Sequence, residues 1–145
     1  MINVIGTLQN ISITVAEIDN NQYAQFSGIA AYELSSSSLL TVTSVAGNYE
    51  FKEPLGENAS YYDEENWAQV EYAEASSIVV TLGARNGGGP ASWGVSFDDS
   101  EWGETPSRVT IAPTAYNLTY DDNDANSGSV PSTQSSTVGS STVTL

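Results

Sequence analysis

A chain of 145 residues without Cys or His and with a net charge of −15 has material for one domain with one real core. Only Lys52, Arg85 and Arg108 oppose eighteen carboxylates, which excludes a nucleic-acid partner, because phosphate binding needs clustered cations, and disfavours an anionic membrane surface. The missing Cys and His exclude disulfides, thiolate metal sites and cysteine nucleophiles, and remove the commonest general base.

The opening "MINVIGTLQNISITV" has no basic stretch and no apolar run of spanning length. Neither a signal peptide nor a transmembrane segment is expected. From there the pattern is alternation rather than helical period. In "ISITVAEI", Ile11, Ile13 and Val15 share one face, with Ser12 and Thr14 on the other. "NQYAQFSGIAAYEL" reads as one further strand. "SLLTVTSV" places Leu40 and Val42 together, and "NYEFKE" alternates Tyr49 and Phe51 with acids. "GENASYYDEENWAQV" is the place for a short helix or a long loop. After it come Val70 and Tyr72, then Ile78, Val80 and Leu82 in "SIVVTLGA". Trp93, Val95 and Phe97 follow, then Val109 and Ile111, then Tyr116, Leu118 and Tyr120. β-Branched and aromatic residues dominate these runs, as strands prefer.

Turn signals separate them at Asn20-Asn21, Ser35 to Ser38, Gly47-Asn48, Pro54 to Gly56, Asn86 to Pro90, and Gly103 to Pro106. Eight or nine short strands so divided predict an all-β chain, a single antiparallel β-sandwich of jelly-roll or Ig-like type. Its core is expected to be Ile13, Val15, Val42, Phe51, Val80, Leu82, Val95, Phe97, Val109, Ile111 and Leu118. The sandwich body covers residues 1–120. Residues 121–145 form an acidic hinge and an extended Ser/Thr-rich C-terminal arm. From Ser127 to Leu145, eleven of nineteen residues are Ser or Thr and none is charged. Four apolar residues of size, Val130, Val138, Val143 and Leu145, are too few to fold it alone. The arm is expected either to order on a neighbouring subunit, adding a strand there, or to fold back as the last strand of its own sandwich.

Three constellations invite a chemical reading. "RNGGGPASWG" is Gly-rich but lacks the Lys-Ser/Thr ending of a phosphate loop. It reads as a hairpin connection between the strands around Val80 and Val95, with Arg85 at its base pairing a carboxylate. Asp121, Asp122, Asp124 and Asn126 share one loop, and hard cations want such oxygens. Ser127 stands where an EF-hand requires Gly, so a looser calcium loop is the metal candidate and calcium the one candidate cofactor. Asp98, Asp99, Glu101 and Glu104 cluster around Trp102 in the same acidic manner. Tyr61, Tyr62, Trp67 and Trp102 are the candidate ligand-binding aromatics, because aromatic faces beside carboxylates can stack on sugars.

A β body without Cys or His, strong acidity, no secretion signal and an uncharged terminal arm make the chain resemble phage head-decoration and tail proteins in overall character. The resemblance implies a non-enzymatic structural component of a virion, located in the virion or outside the cell. It would act as capsid decoration, cement, or an accessory head or tail protein. Its partners would be the major capsid protein, other virion proteins and copies of itself, with no nucleic acid and no membrane. The alternative is a carbohydrate- or surface-binding sandwich of the fibre-tip or adhesin type.

Overall fold

The computed structural model describes residues 2–56, 63–85, 92–97, 102–112, 115–118, 120, 129 and 132–137, with the backbone alone described at 2–5, 115–118 and 134–137. Contacts divide the chain into two compact units, Met1–Ile111 and Ala112–Leu145.

The first unit is an antiparallel β-sandwich. Its strands are β1 (Ile2–Ala16), β2 (Gln22–Ser27), β3 (Ala31–Leu34), β4 (Thr41–Val45), β5 (Asn48–Lys52), β6 (Ala68–Ile78), β7 (Val80–Ala84), β8 (Gly94–Ser96) and β9 (Ser107–Thr110). A five-stranded sheet runs β8-β1-β6-β3-β9, and a four-stranded sheet runs β4-β5-β2-β7. The second unit holds β10 (Ala115–Leu118) paired antiparallel with β11 (Gln134–Thr137), Ala115 opposite Thr137. Within the predicted arm, residues 134–137 therefore have a partner in their own chain, in a two-stranded sheet separate from the two larger ones.

Period-two alternation makes one face of each sheet apolar, and the two faces close on one core. In the larger sheet, Ile13 lies opposite Val70 and Val15 opposite Ala68, all fully buried. In the smaller one, Val42, Phe51, Ala24 and Leu82 form one row across four strands. Phe51 and Ala24 are fully buried, while Val42 and Leu82, at the sheet's edges, are partly buried against the core. Ile18, Phe26, Ile29, Leu40 and Ile78 complete it. Between β4 and β5 a two-residue connection, Ala46 (φ 51°) and Gly47 (φ 78°), turns the chain back. Positive φ at both positions is the tight hairpin geometry that suits the twist of paired strands.

Several expectations from sequence are corrected. "NQYAQFSGIAAYEL" is two strands rather than one: β2 belongs to the four-stranded sheet and β3 to the five-stranded sheet. Gly28, at φ 71°, is where the chain leaves the first of them. The segment between Val80 and Val95 is not a hairpin, because β7 pairs with β2 whereas β8 pairs with β1 in the other sheet. Finally, Val95, Phe97 and Val109 are not core residues. They are 42%, 51% and 40% exposed. Val95 lies opposite Val15, and Val109 opposite Tyr32, so both face inward. They sit on the two edge strands of the five-stranded sheet, with no further strand beside them among the described residues. Phe97 lies just past the end of β8. The side chain of Leu118 lies outside the described residues.

Tyr72 on β6 is buried, and its hydroxyl has no hydrogen-bond partner among the described residues. Burial pushes its pKa up from 10.0 to about 12. The neutral phenol is favoured in the folded chain, so this contribution is intact below pH 10 and is lost as pH rises toward 12. Tyr72→Phe is expected to stabilise the fold by about 1 kcal/mol, since it removes an unpaired buried hydroxyl. Urea unfolding at neutral pH and above pH 10 measures both the gain and a flattened alkaline loss. A destabilised Phe variant would mean that the hydroxyl is bonded after all.

Candidate functional site

At one end of the sandwich three connections meet. A 3₁₀ turn, Glu64–Asn66, follows Asp63, within the stretch expected to hold a short helix or loop. Two backbone bonds pin it: Ile18 N–H donates to the Asn66 carbonyl at 3.1 Å, and Leu39 N–H to that of Glu65 at 3.0 Å. The Ser38 hydroxyl also donates to the Glu65 carbonyl. Asn66 is buried beneath the turn. Trp67 leaves it in extended conformation and leads directly into β6.

Two carboxylates hold the segment Trp102 to Glu104, one to this turn and one to the Ser35–Ser38 turn. Glu64 accepts the Gly103 N–H at 2.8 Å. A Cβ on Gly103 would lie 3.1 Å from that same carboxylate oxygen, so the close approach suits glycine. Glu104 reaches the Ser35–Ser38 turn, where it accepts from the Ser35 hydroxyl and from the Ser36 N–H and hydroxyl, the last two at 2.9 Å. The Ser35 bond, followed by those of Ser36, holds the Glu104 carboxyl below its usual pKa. The clasp therefore holds while Glu104 is ionised and opens as pH falls through that lowered value.

The two clasps bring Trp67 and Trp102 together. Their ring centroids are 5.9 Å apart with planes tilted by 53°. Both rings are half-buried. The Trp102 indole N–H is buried without a hydrogen-bond partner among the described residues. An exposed part of a tryptophan face can stack on the apolar face of a sugar ring. A glycosidase needs one carboxyl with a raised pKa as general acid. Glu104 is shifted the other way and is already bonded to protein donors.

Two of the four aromatics expected to bind a ligand are thus neighbours. The other two, Tyr61 and Tyr62, lie outside the described residues. So do the candidate calcium ligands Asp121, Asp122, Asp124 and Asn126, and Asp98, Asp99 and Glu101 beside Trp102. Among the described residues, no three Asp or Glu side chains are grouped closely enough to hold a metal ion. Sequence reading took Ser35 to Ser38 as a break only. Its role as the donor turn for Glu104 depends on a contact across 69 residues, which no local pattern announces.

Elsewhere both arginines are committed to carboxylates. Arg85 pairs with Glu50 at 2.6 Å and stacks 4.9 Å from the Tyr23 ring centroid. Arg108 pairs with both Glu33 and Glu71. These last three residues lie on the face of the five-stranded sheet turned away from the core. Beside them a shallow groove of about 430 Å³ is lined by Asn10, Ser12, Ala31, Ala73 and Thr110. Among the described residues no helix is long and apolar enough to cross a membrane. Comparison with protein families, curated proteins and solved structures finds no match for this chain.

Proposed function

We propose that this protein is a non-enzymatic structural component of a virion, of the capsid decoration, cement or accessory head or tail type, acting through contacts between subunits. The observation that supports this reading best is how charge is distributed over the sandwich. In a chain of net charge −15, both edge strands of the four-stranded sheet, Thr41–Val45 and Val80–Ala84, are free of charge. Acidic surface keeps such molecules soluble and apart, while uncharged strand edges leave lines along which subunits can join. The partners in this reading are the major capsid protein, other virion proteins and further copies of the chain. The test is to purify particles by density gradient from the cells that make the protein and quantify it by mass spectrometry. A fixed copy number relative to the major capsid protein is expected. Its loss on washing, or its absence, would sink the reading.

A second reading is favoured by one specific observation, the half-buried Trp67–Trp102 pair. It makes the chain a carbohydrate- or surface-binding sandwich. Tryptophan fluorescence should then change on titration with a polysaccharide, and Trp102→Ala should abolish the response. A flat titration across neutral, acidic and amino sugars counts against it.

Calcium at Asp121, Asp122, Asp124 and Asn126 belongs to the same proposal. Eighteen carboxylates repel one another, so added salt is expected to raise the melting temperature. Calcium at millimolar level should raise it further if that loop binds the ion. Equal effects of calcium and of sodium chloride at matched ionic strength would exclude the specific site.

A further inference from the structure

We propose that the four-stranded sheet of one copy continues into that of a second copy, strand β4 of one against strand β7 of the next, building head-to-tail chains of this protein. The proposal rests on the structural-component reading above and names the partner and the register.

Three observations carry it. The first is that both edges are open. Among the described residues β4 has the single strand partner β5, and β7 the single strand partner β2. Folded sheets usually guard such edges with Lys, Pro, a bulge or an inward charge. "TVTSV" and "VTLGA" carry no charge and no proline.

The second is direction. Every neighbouring pair in this sheet is antiparallel. With four strands, β4 and β7 therefore run opposite ways. A second copy placed beside the first by simple translation, with the usual twist, presents β7 antiparallel to β4. The ladder continues without reversing the sheet, and main-chain hydrogen bonds supply affinity.

The third is register. Val42 and Leu82 both face inward in the same cross-strand row, and both are only partly buried. Setting Val42 beside the Leu82 of the next copy extends that apolar row across the junction. Thr43 then meets Thr81, and Val45 comes opposite Val79, the residue preceding β7. Val45 is 75% exposed and Val79 41%, the two exposed valines at these edges. Pairing β4 with a second β4 centred on Thr43 would instead set Val45 against Thr41.

The shared apolar row makes a copy of the same chain the occupant, and the uncharged edges permit it. Two molecules of net charge −15 repel except where they meet without carboxylates, and these two strands offer that. A basic partner would find no carboxylate on either strand to pair with. Because the two edges differ, the contact is head-to-tail and propagates as a filament or closes as a ring.

The test is sedimentation velocity of the full chain over a range of concentrations. The wild type should exceed the monomer mass of 15.3 kDa, increasingly so with concentration. Thr43 and Thr81 are exposed, so Thr43→Lys and Thr81→Glu should leave the far-UV circular dichroism unchanged. Each alone should hold the chain at monomer mass. Together, the lysine of one copy meets the glutamate of the next, and assembly should return. A wild type that stays monomeric at every concentration overturns the proposal. So does an oligomer untouched by either single change, which would place the contact elsewhere and leave the structural reading standing. So does failure of the double variant to recover, which would point to pairing of like edges. Recovery in a protein absent from particles would uphold the sheet contact and sink the virion reading.

Discussion

Glu53→Ala is expected to cost about 3–5 kcal/mol, a large share of the stability of a domain this size. Glu53 follows β5, yet its side chain is fully buried. Its carboxylate accepts three backbone N–H groups, those of Asn21 (3.1 Å), Leu55 and Gly56 (2.7 Å). These donors belong to two tight turns. One holds Asn20 and Asn21 at φ 45° and 63°, and the other holds Gly56 at φ 76°. Such conformations bare N–H groups that no ladder satisfies, and one carboxylate answers all three. Alanine leaves all three part-buried donors without their carboxylate. Glu53→Gln keeps the shape but replaces an acceptor by a donor, and is expected to cost about 2 kcal/mol or more. Urea unfolding measures both. A loss below about 1 kcal/mol for alanine would show that water replaces the carboxylate.

Little of this clasp was legible in the sequence. "FKEP" reads as a strand running into a turn, with an acid where an acid is usually solvated. The burial of Glu53 follows from where the Asn20–Asn21 turn packs, 32 residues away. What alternation did disclose is the inward face of each long strand. Ile13, Val15 and Phe51 are core, and Val42, Val80, Leu82 and Ile111 pack against it. Alternation tells in from out. It does not tell which sheet a strand joins or whether it lies at an edge, and those depend on partners distant in sequence. Hence "SIVVTLGA" reads as one strand, while Ile78 closes the five-stranded sheet and Val80 opens the four-stranded one. The candidate site divides in the same way. Trp67 and Trp102 are visible as aromatics among acids. Their meeting depends on Gly103 fitting against Glu64 and on Glu104 finding Ser35.

The difference between an inward residue and a central one sets the other large effect. Phe51 and Phe97 look alike in sequence, each an aromatic on the apolar phase of a short strand. Phe51 is on an inner strand and fully buried. Its ring meets Phe26 edge-to-face within its own sheet at 5.8 Å, and Tyr32 of the opposite sheet at 5.2 Å. Edge-to-face contacts of this kind add to the area buried, and the second of them joins the two layers. Phe51→Ala is therefore expected to cost about 3–5 kcal/mol, from lost transfer free energy and from a cavity that two packed sheets cannot easily close. Phe51→Leu keeps most of the volume and loses the ring contacts, so about 1–2 kcal/mol is expected. Phe97→Ala removes a ring that is 51% exposed and is expected to shift stability by no more than about 0.5 kcal/mol. Urea unfolding of the three variants against wild type decides the matter. Equal losses at the two phenylalanines would mean that both are core, as alternation alone proposes, and that the edge position of β8 is wrong.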